Sequence, residues 1–143
     1  MAEYTSTIEG FQRAMEQSLI GPPAEAKTYA EATAIPTFYH VMNGQKSDVE
    51  NWVKGIEMWR GKIRRERKIE LWKANSDGRS DQFLRDGDNL AAHMTGTIKV
   101  DGEDTEFESF MFGKVDKQSG KLAWLQERSI WGPQGGAPEH GVN

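Results

Sequence analysis

Two strand-like runs in the C-terminal third each carry an acid where a sheet would take an apolar residue. Glu108 sits in Thr105-Glu106-Phe107-Glu108-Ser109-Phe110-Met111-Phe112, and Glu127 in Trp124-Leu125-Gln126-Glu127-Arg128-Ser129-Ile130-Trp131. A carboxyl withdrawn from water has its pKa driven up, and a neighbouring imidazole can share or relay its proton. Together they make a general acid and base for C–H, C–O or epoxide bonds. His93 shares a strand face with Ala91, Thr95 and Thr97, small residues that leave space beside the ring, and His40 lies in the aromatic run Phe38-Tyr39-His40-Val41. Glu127, His93, Glu108 and His40 are therefore the candidate catalytic residues. Strand alternation puts Ala123, Leu125, Ser129 and Trp131 on the face of Glu127, and leads Glu108 into Phe110 and Phe112. If these faces line one cavity, it holds two acids and an imidazole within aromatic walls, with Tyr39, Trp59, Phe110, Leu125 and Trp131 as candidate substrate-binding side chains. The competing reading is structural: Glu127 beside Arg128, and Glu108 near an edge, as cross-strand partners of Lys or Arg, with Trp52 and Trp59 as plain core.

Other chemistries find little support. There is no Gly-rich phosphate loop, no His-Glu-x-x-His helix and no nucleophile elbow. The three histidines are scattered, with His140 near the C-terminal end, and no carboxylate spacing matches a ligand set, so neither a metal nor a cofactor is expected. The absence of Cys removes thiolate catalysis, disulfides and Cys-type zinc sites. A net charge of −4 and a pI near 5.4 disfavour nucleic acid and anionic membrane as partners. The basic run from Lys62 to Lys68 is short, contains Glu66, and is read as a solvated strand or helix end. No apolar run reaches the length of a membrane span, and Met1 to Gly10 lacks the basic and apolar regions of a signal peptide, so a soluble, cytoplasmic protein is expected.

The elements that must hold these residues follow from periodicity. Ser6 and Glu9 form a capping box ahead of a helix with Ile8, Phe11, Met15 and Leu19 on one face, ended by Gly21-Pro22-Pro23. An Ala-rich helix over about 24–34 follows, because Pro36 disfavours helical geometry at Ile35, and its Tyr29 is read as a core residue with a bonded hydroxyl. A short strand over 37–42 closes at the turn pair Asn43-Gly44. Ser47 and Glu50 open a third helix with a stripe of Val49, Trp52, Val53, Ile56 and Trp59, and Gly61 is its expected stop. From Ile63 the period becomes 2, with a strand to Trp72, the turn Asn75-Ser76-Asp77-Gly78, and strands over 81–85 and 89–100 bounded by Asp86-Gly87 and Asp101-Gly102. The last hairpin turns at Lys117-Gln118-Ser119-Gly120.

At 143 residues this is one domain, read as residues 1–132 with a disordered Gly/Pro-rich tail over 133–143. The class is α+β, three N-terminal helices packed on an antiparallel sheet. Because Phe110 and Phe112 oppose Phe107, Met111 and Val115, both sheet faces need cover. Helices supply one, and a second copy of the chain supplies the other, so a homodimer through the sheet is expected.

The helix order, the run Phe38-Tyr39-His40-Val41-Met42-Asn43-Gly44, the run Arg85-Asp86-Gly87-Asp88-Asn89-Leu90-Ala91, and Gly120-Lys121-Leu122 opening the last strand resemble the SnoaL-like branch of the NTF2-like superfamily. That branch includes ketosteroid isomerase, scytalone dehydratase, limonene epoxide hydrolase and polyketide or fungal meroterpenoid cyclases. The resemblance implies a cone of curved sheet wrapped with helices, a hydrophobic small-molecule substrate in its open end, and a dimer. It further implies that Glu108 corresponds to the oxyanion-stabilising acid of ketosteroid isomerase, and Glu127 to the last-strand carboxylate of the epoxide hydrolase and cyclases. His40 falls near the isomerase base, and His93 near the Arg of the epoxide hydrolase triad, where Thr95 replaces the Asp. The missing Arg-Asp pair argues against limonene-type epoxide opening, and the isomerase's early Tyr has only Tyr4 or Tyr29 as counterparts. The implied activity is that of a cofactor-free isomerase, cyclase or lyase acting on a polyketide- or terpenoid-type molecule in secondary metabolism. An epoxide hydrolase and a non-catalytic binding or dimerisation module are the alternatives.

Overall fold

The structure is a computed structural model that describes residues 3–63, 69–71, 82–100, 103–133 and 139–140. Helix α1 (Ile8–Gln17) is followed by a single 3-10 turn (Pro23–Glu25) and α2 (Ala26–Thr33), then strands β1 (Ala34–Met42) and β2 (Gln45–Asp48) and helix α3 (Val49–Ile63). Strands β3 (Ile69–Leu71), β4 (Gln82–Asp86), β5 (Asn89–Val100), β6 (Glu103–Val115), β7 (Leu122–Pro133) and β8 (Glu139–His140) complete the sheet. Its order is β2-β1-β7-β6-β5-β3, with β4 pairing β5 and β8 pairing β7.

This is an α+β fold, but the sheet is mixed rather than antiparallel, because β1 runs parallel to β7. Two strands also precede α3, so the helices are not three in succession at the N-terminus. A short strand ahead of α3 has no hairpin partner before it, and its apolar alternation does not reveal that it will cross to the far end of the chain.

Local chemistry shifts several boundaries. Thr7, not Ser6, caps α1, its hydroxyl accepting from Gly10 N at 3.0 Å. Asp48, not Ser47, performs that service for α3, accepting from Asn51 N at 2.9 Å. Gly61 does not stop α3, which runs on to Ile63. The Arg85 guanidinium, next to the Asp86-Gly87 turn, donates to the carbonyls of Thr5, at 2.5 Å, and Gly87. The strand expected from Ile63 does not begin there, since Ile63 ends α3, while residues 64–68 and 72 of that strand, with most of the basic run and the turns at 75–78 and 101–102, lie outside the described residues. Within the Gly/Pro-rich C-terminal stretch, Glu139 and His140 pair with Trp131 and Ile130.

Helices cover one face of the sheet. Met94, Met111, Leu122 and Leu125 pack there against Phe11 of α1 and Phe38 of β1, and Phe11, Phe38, Met94 and Met111 are at most 1% exposed. Each contributes roughly 1.5–3 kcal/mol on leaving water. Tyr29 is buried as expected, with its hydroxyl donating to Ala14 O at 2.5 Å. Desolvation holds that phenol far above its ordinary pKa, so it acts as a neutral donor joining α2 to α1.

Candidate active site

Between the helix-covered sheet face and the helices lies a cavity of about 250 Å³. Its walls are mostly apolar, with Phe11 and Met15 from α1, Trp52, Ile56 and Trp59 from α3, and Phe107, Leu125 and Trp131 from the sheet. Trp59 stacks on Trp131 at 5.5 Å, and Trp131 on Phe107 at 5.0 Å. His40 and Glu127 bring ionisable chemistry to this lining, and Ser18, Ser47 and Asn51 add polar groups.

The parallel β1–β7 pairing sets Met42 opposite Glu127 and His40 opposite Leu125, so the imidazole and the carboxylate share the cavity face. His40 Nε2 lies 3.0 Å from Glu127 Oε1. Ser129 Oγ donates to Glu127 Oε2 at 2.7 Å and lies 2.5 Å from Ser109 Oγ. Burial alone would push the Glu127 carboxyl up. The hydrogen bond and charge of His40, then the hydrogen bond from Ser129 with the Ser109 hydroxyl behind it, outweigh it and hold the group below the ordinary carboxyl value. Glu127 is thus an anion at neutral pH although only 6% exposed. An ionised carboxylate only accepts, so His40 Nε2 carries the hydrogen, and in the neutral ring Nδ1 is the nitrogen without one.

A stability test follows from that direction. A folded-state value below the unfolded one contributes stability that is complete above about pH 4.5 and is lost as pH falls through the folded-state value. The urea midpoint of the wild-type protein is therefore expected to drop more steeply with acid below pH 4.5 than that of Glu127→Gln, which cannot titrate. Parallel curves for the two proteins would remove the assignment of a buried anion.

The four catalytic candidates do not share one cavity. Glu127 pairs with Met111 and Glu108 with Ile130, and side chains alternate, so the two carboxylates leave opposite faces of the sheet. His93 and Glu108 form their own pair, Nε2 to Oε2 at 2.6 Å, on the face turned away from the helices, where the His93 ring stacks on Phe110 at 4.5 Å. Of the substrate-binding candidates, Trp59, Leu125 and Trp131 line the cavity. Tyr39 and Phe110 do not: Tyr39 stacks on Trp124 at 6.2 Å and Phe110 is 47% exposed, both on that other face. Ser109, Ser129 and Asn43 were not singled out, although a Ser between Phe107 and Met111, and another between Glu127 and Trp131, interrupt the apolar row as Glu127 does. Among the described residues no cluster of His, Asp and Glu could hold a metal ion, and no helix is long and apolar enough to cross a membrane.

Compared by sequence, the chain matches no family model and no curated protein. Compared by structure, it is similar to a de novo designed NTF2 fold protein, NT-9, with 16% identity, 85% of each chain covered and a TM-score of 0.54. It is also similar to an LEH-like epoxide hydrolase of M. tuberculosis, with 14% identity, 81% of this chain and 79% of the other covered, and a TM-score of 0.54. The chain has an NTF2-like fold. Wild-type IdmH of Streptomyces antibioticus, a candidate polyketide cyclase, shares this NTF2-like fold with 9% identity, 82% of this chain and 89% of its own covered, and a TM-score of 0.54. A designed protein and an enzyme match it equally well, so likeness of fold is silent on activity.

Proposed function

We propose that the protein is a cofactor-independent acid–base enzyme, an isomerase, cyclase or dehydratase, acting on a hydrophobic polyketide- or terpenoid-type small molecule in secondary metabolism. The supporting observation is the His40–Glu127 pair, bonded at 3.0 Å and set into an apolar, aromatic cavity. His40 Nδ1 takes a proton from carbon next to a carbonyl, and the Glu127 anion stabilises the imidazolium that forms. The imidazolium then returns the proton to another atom of the enolate, which gives isomerisation, to the alkoxide formed when the enolate carbon attacks a second carbonyl of the same molecule, which gives ring closure, or to a departing hydroxyl, which gives dehydration. At roughly 30 Å³ per water the cavity holds about eight waters, so the part of the substrate that enters is about one or two rings.

Epoxide opening, the activity of one structural neighbour, has less support, because His93 and Thr95 belong to the sheet face turned from the cavity. The same apolar cavity would also suit a non-catalytic binding module. Deuterium exchange separates the readings. In D₂O, wild-type protein is expected to accelerate NMR-detected wash-in at the α-carbon of one- and two-ring ketones. His40→Ala abolishes the acceleration and His93→Ala retains it. Exchange at the buffer rate with ketones that nevertheless raise the melting temperature would replace the enzyme by a binding module.

The partner reading is a homodimer through the sheet. Leu84, Phe110 and Phe112 are 70%, 47% and 65% exposed on the face without helices, an apolar area that a second copy would cover. Sedimentation at micromolar concentration is expected to give a dimer for the wild type and a monomer for Phe112→Asp. A monomeric wild type would end the proposal.

A further inference from the structure

Asn43 is the one non-glycine residue with positive φ, 49°, among the described residues. It follows the last β1–β7 pair, Met42 with Glu127, at the point where the chain leaves for β2. Its backbone N–H donates to Glu127 O at 2.9 Å. Beyond that point β1 has left β7 and β8 joins it only from Ile130, so at Ser129, between the two, the Asn43 side chain stands in for backbone. Asn43 Oδ1 accepts from Ser129 N at 2.9 Å, and Asn43 Nδ2 donates to Ser129 O at 3.2 Å. A turn alone needs neither bond.

What is gripped is the residue that aims Glu127. Ser129 is fully buried, and its single hydroxyl hydrogen goes to Glu127 Oε2, so Ser109 must donate into Ser129. The aim of that hydroxyl depends on where the Ser129 backbone is held. We propose that Asn43 is a positioning residue for the His40–Glu127 pair, acting through Ser129: its carboxamide locks the Ser129 backbone so that the Ser109–Ser129 hydroxyl chain holds one carboxylate oxygen and leaves the other to His40. The catalytic meaning rests on the acid–base reading above, whereas the geometric meaning does not.

Two variants and two readouts test it. Asn43→Gly relieves the positive φ and keeps the turn, so a purely conformational role makes it harmless or stabilising. Ser129→Ala keeps the backbone grip and removes the hydroxyl. In both variants the Glu127 carboxyl, followed by carbon-13 NMR of labelled Glu, is expected to titrate closer to the ordinary carboxyl range than in wild type. Ketone exchange is expected to slow about tenfold, the weight of one charge-assisted hydrogen bond, with KM unchanged. The double variant should be no worse than the worse single one, because both act through one hydroxyl. A wild-type Glu127 titration in Asn43→Gly, or additive effects in the double variant, overturns the assignment. If Asn43→Gly does not fold, Asn43→Asp replaces it, keeping the acceptor for Ser129 N and losing the donor to Ser129 O, with the same shift in titration expected. Absence of ketone exchange in the wild type counts against the enzyme reading alone, since the titration still decides the role of Asn43.

Discussion

Glu127→Gln is expected to slow proton transfer by about 10²–10⁴-fold, the usual weight of a positioned acid–base group, while ketone affinity stays close to wild type. The amide is nearly isosteric, and its oxygen can still accept from His40 Nε2, so the imidazole stays in the cavity wall. What goes is the charge. In the wild type a buried anion 3.0 Å from the ring stabilises the imidazolium as it forms, in surroundings where water screens little. A neutral amide cannot do this. Its NH₂ group must also face Ser129 Oγ, which donates to Glu127 and would have to turn round. The loss should therefore appear in kcat with KM little changed. A fall confined to KM would mean that Glu127 only binds, and an unchanged kcat would exclude it from the chemistry. His40→Ala should be equally severe and, if the two act as one unit, the double variant no worse than either single one.

The extent to which this site was legible in the sequence differs from residue to residue. Glu127 stood out because burying a carboxylate between Leu125 and Trp131 costs free energy unless a partner waits for it, and a partner does. Glu108 and His93 stood out as candidates for one cavity with Glu127, and the two meet each other on the other face of the sheet. What the pattern could not carry was register. A slip of one residue exchanges the two faces of a strand, and the hairpin from β6 to β7 contains such a shift, with Lys114 opposite Trp124 but Val115 opposite Leu122. The extra residue, Ala123, lets both Leu122 and Leu125 turn to the core. No period-2 count across that hairpin shows that Glu108 and Glu127 part company. His40 stands out in the sequence as an imidazole within the aromatic run Phe38-Tyr39-His40-Val41, but nothing there says which acid it meets. Its pairing with Glu127 needs the parallel contact between strands 87 residues apart in sequence, which no local signal encodes. Helices were the easier part, because an apolar stripe and a cap are local. Even so, Thr7 displaced Ser6, and Asp48 displaced Ser47, by one position each.

Trp131→Ala is expected to cost about 3 kcal/mol of stability, the low end for removing a large aromatic from a core, and to weaken ketone binding as well. Trp131 is only half-buried, which limits the transfer contribution. It is nevertheless the middle ring of a stack, with Trp59 of α3 on one side at 5.5 Å and Phe107 of β6 on the other at 5.0 Å, so its loss breaks two aromatic contacts and opens the cavity wall they form. Against a total stability of roughly 5–15 kcal/mol the variant should still fold, with a lower urea midpoint and an unchanged slope. Trp124→Ala is the matched control. Trp124 lies on the same strand but on the other face, against Tyr39 at 6.2 Å, so it should lose less stability and leave ketone affinity intact. Equal effects of the two substitutions on affinity would mean that ligands do not enter beside the Trp59–Trp131 stack. A loss confined to Trp131→Ala would tie the stability of the α3–sheet contact and the shape of the cavity to one side chain, so that neither can be altered there without the other.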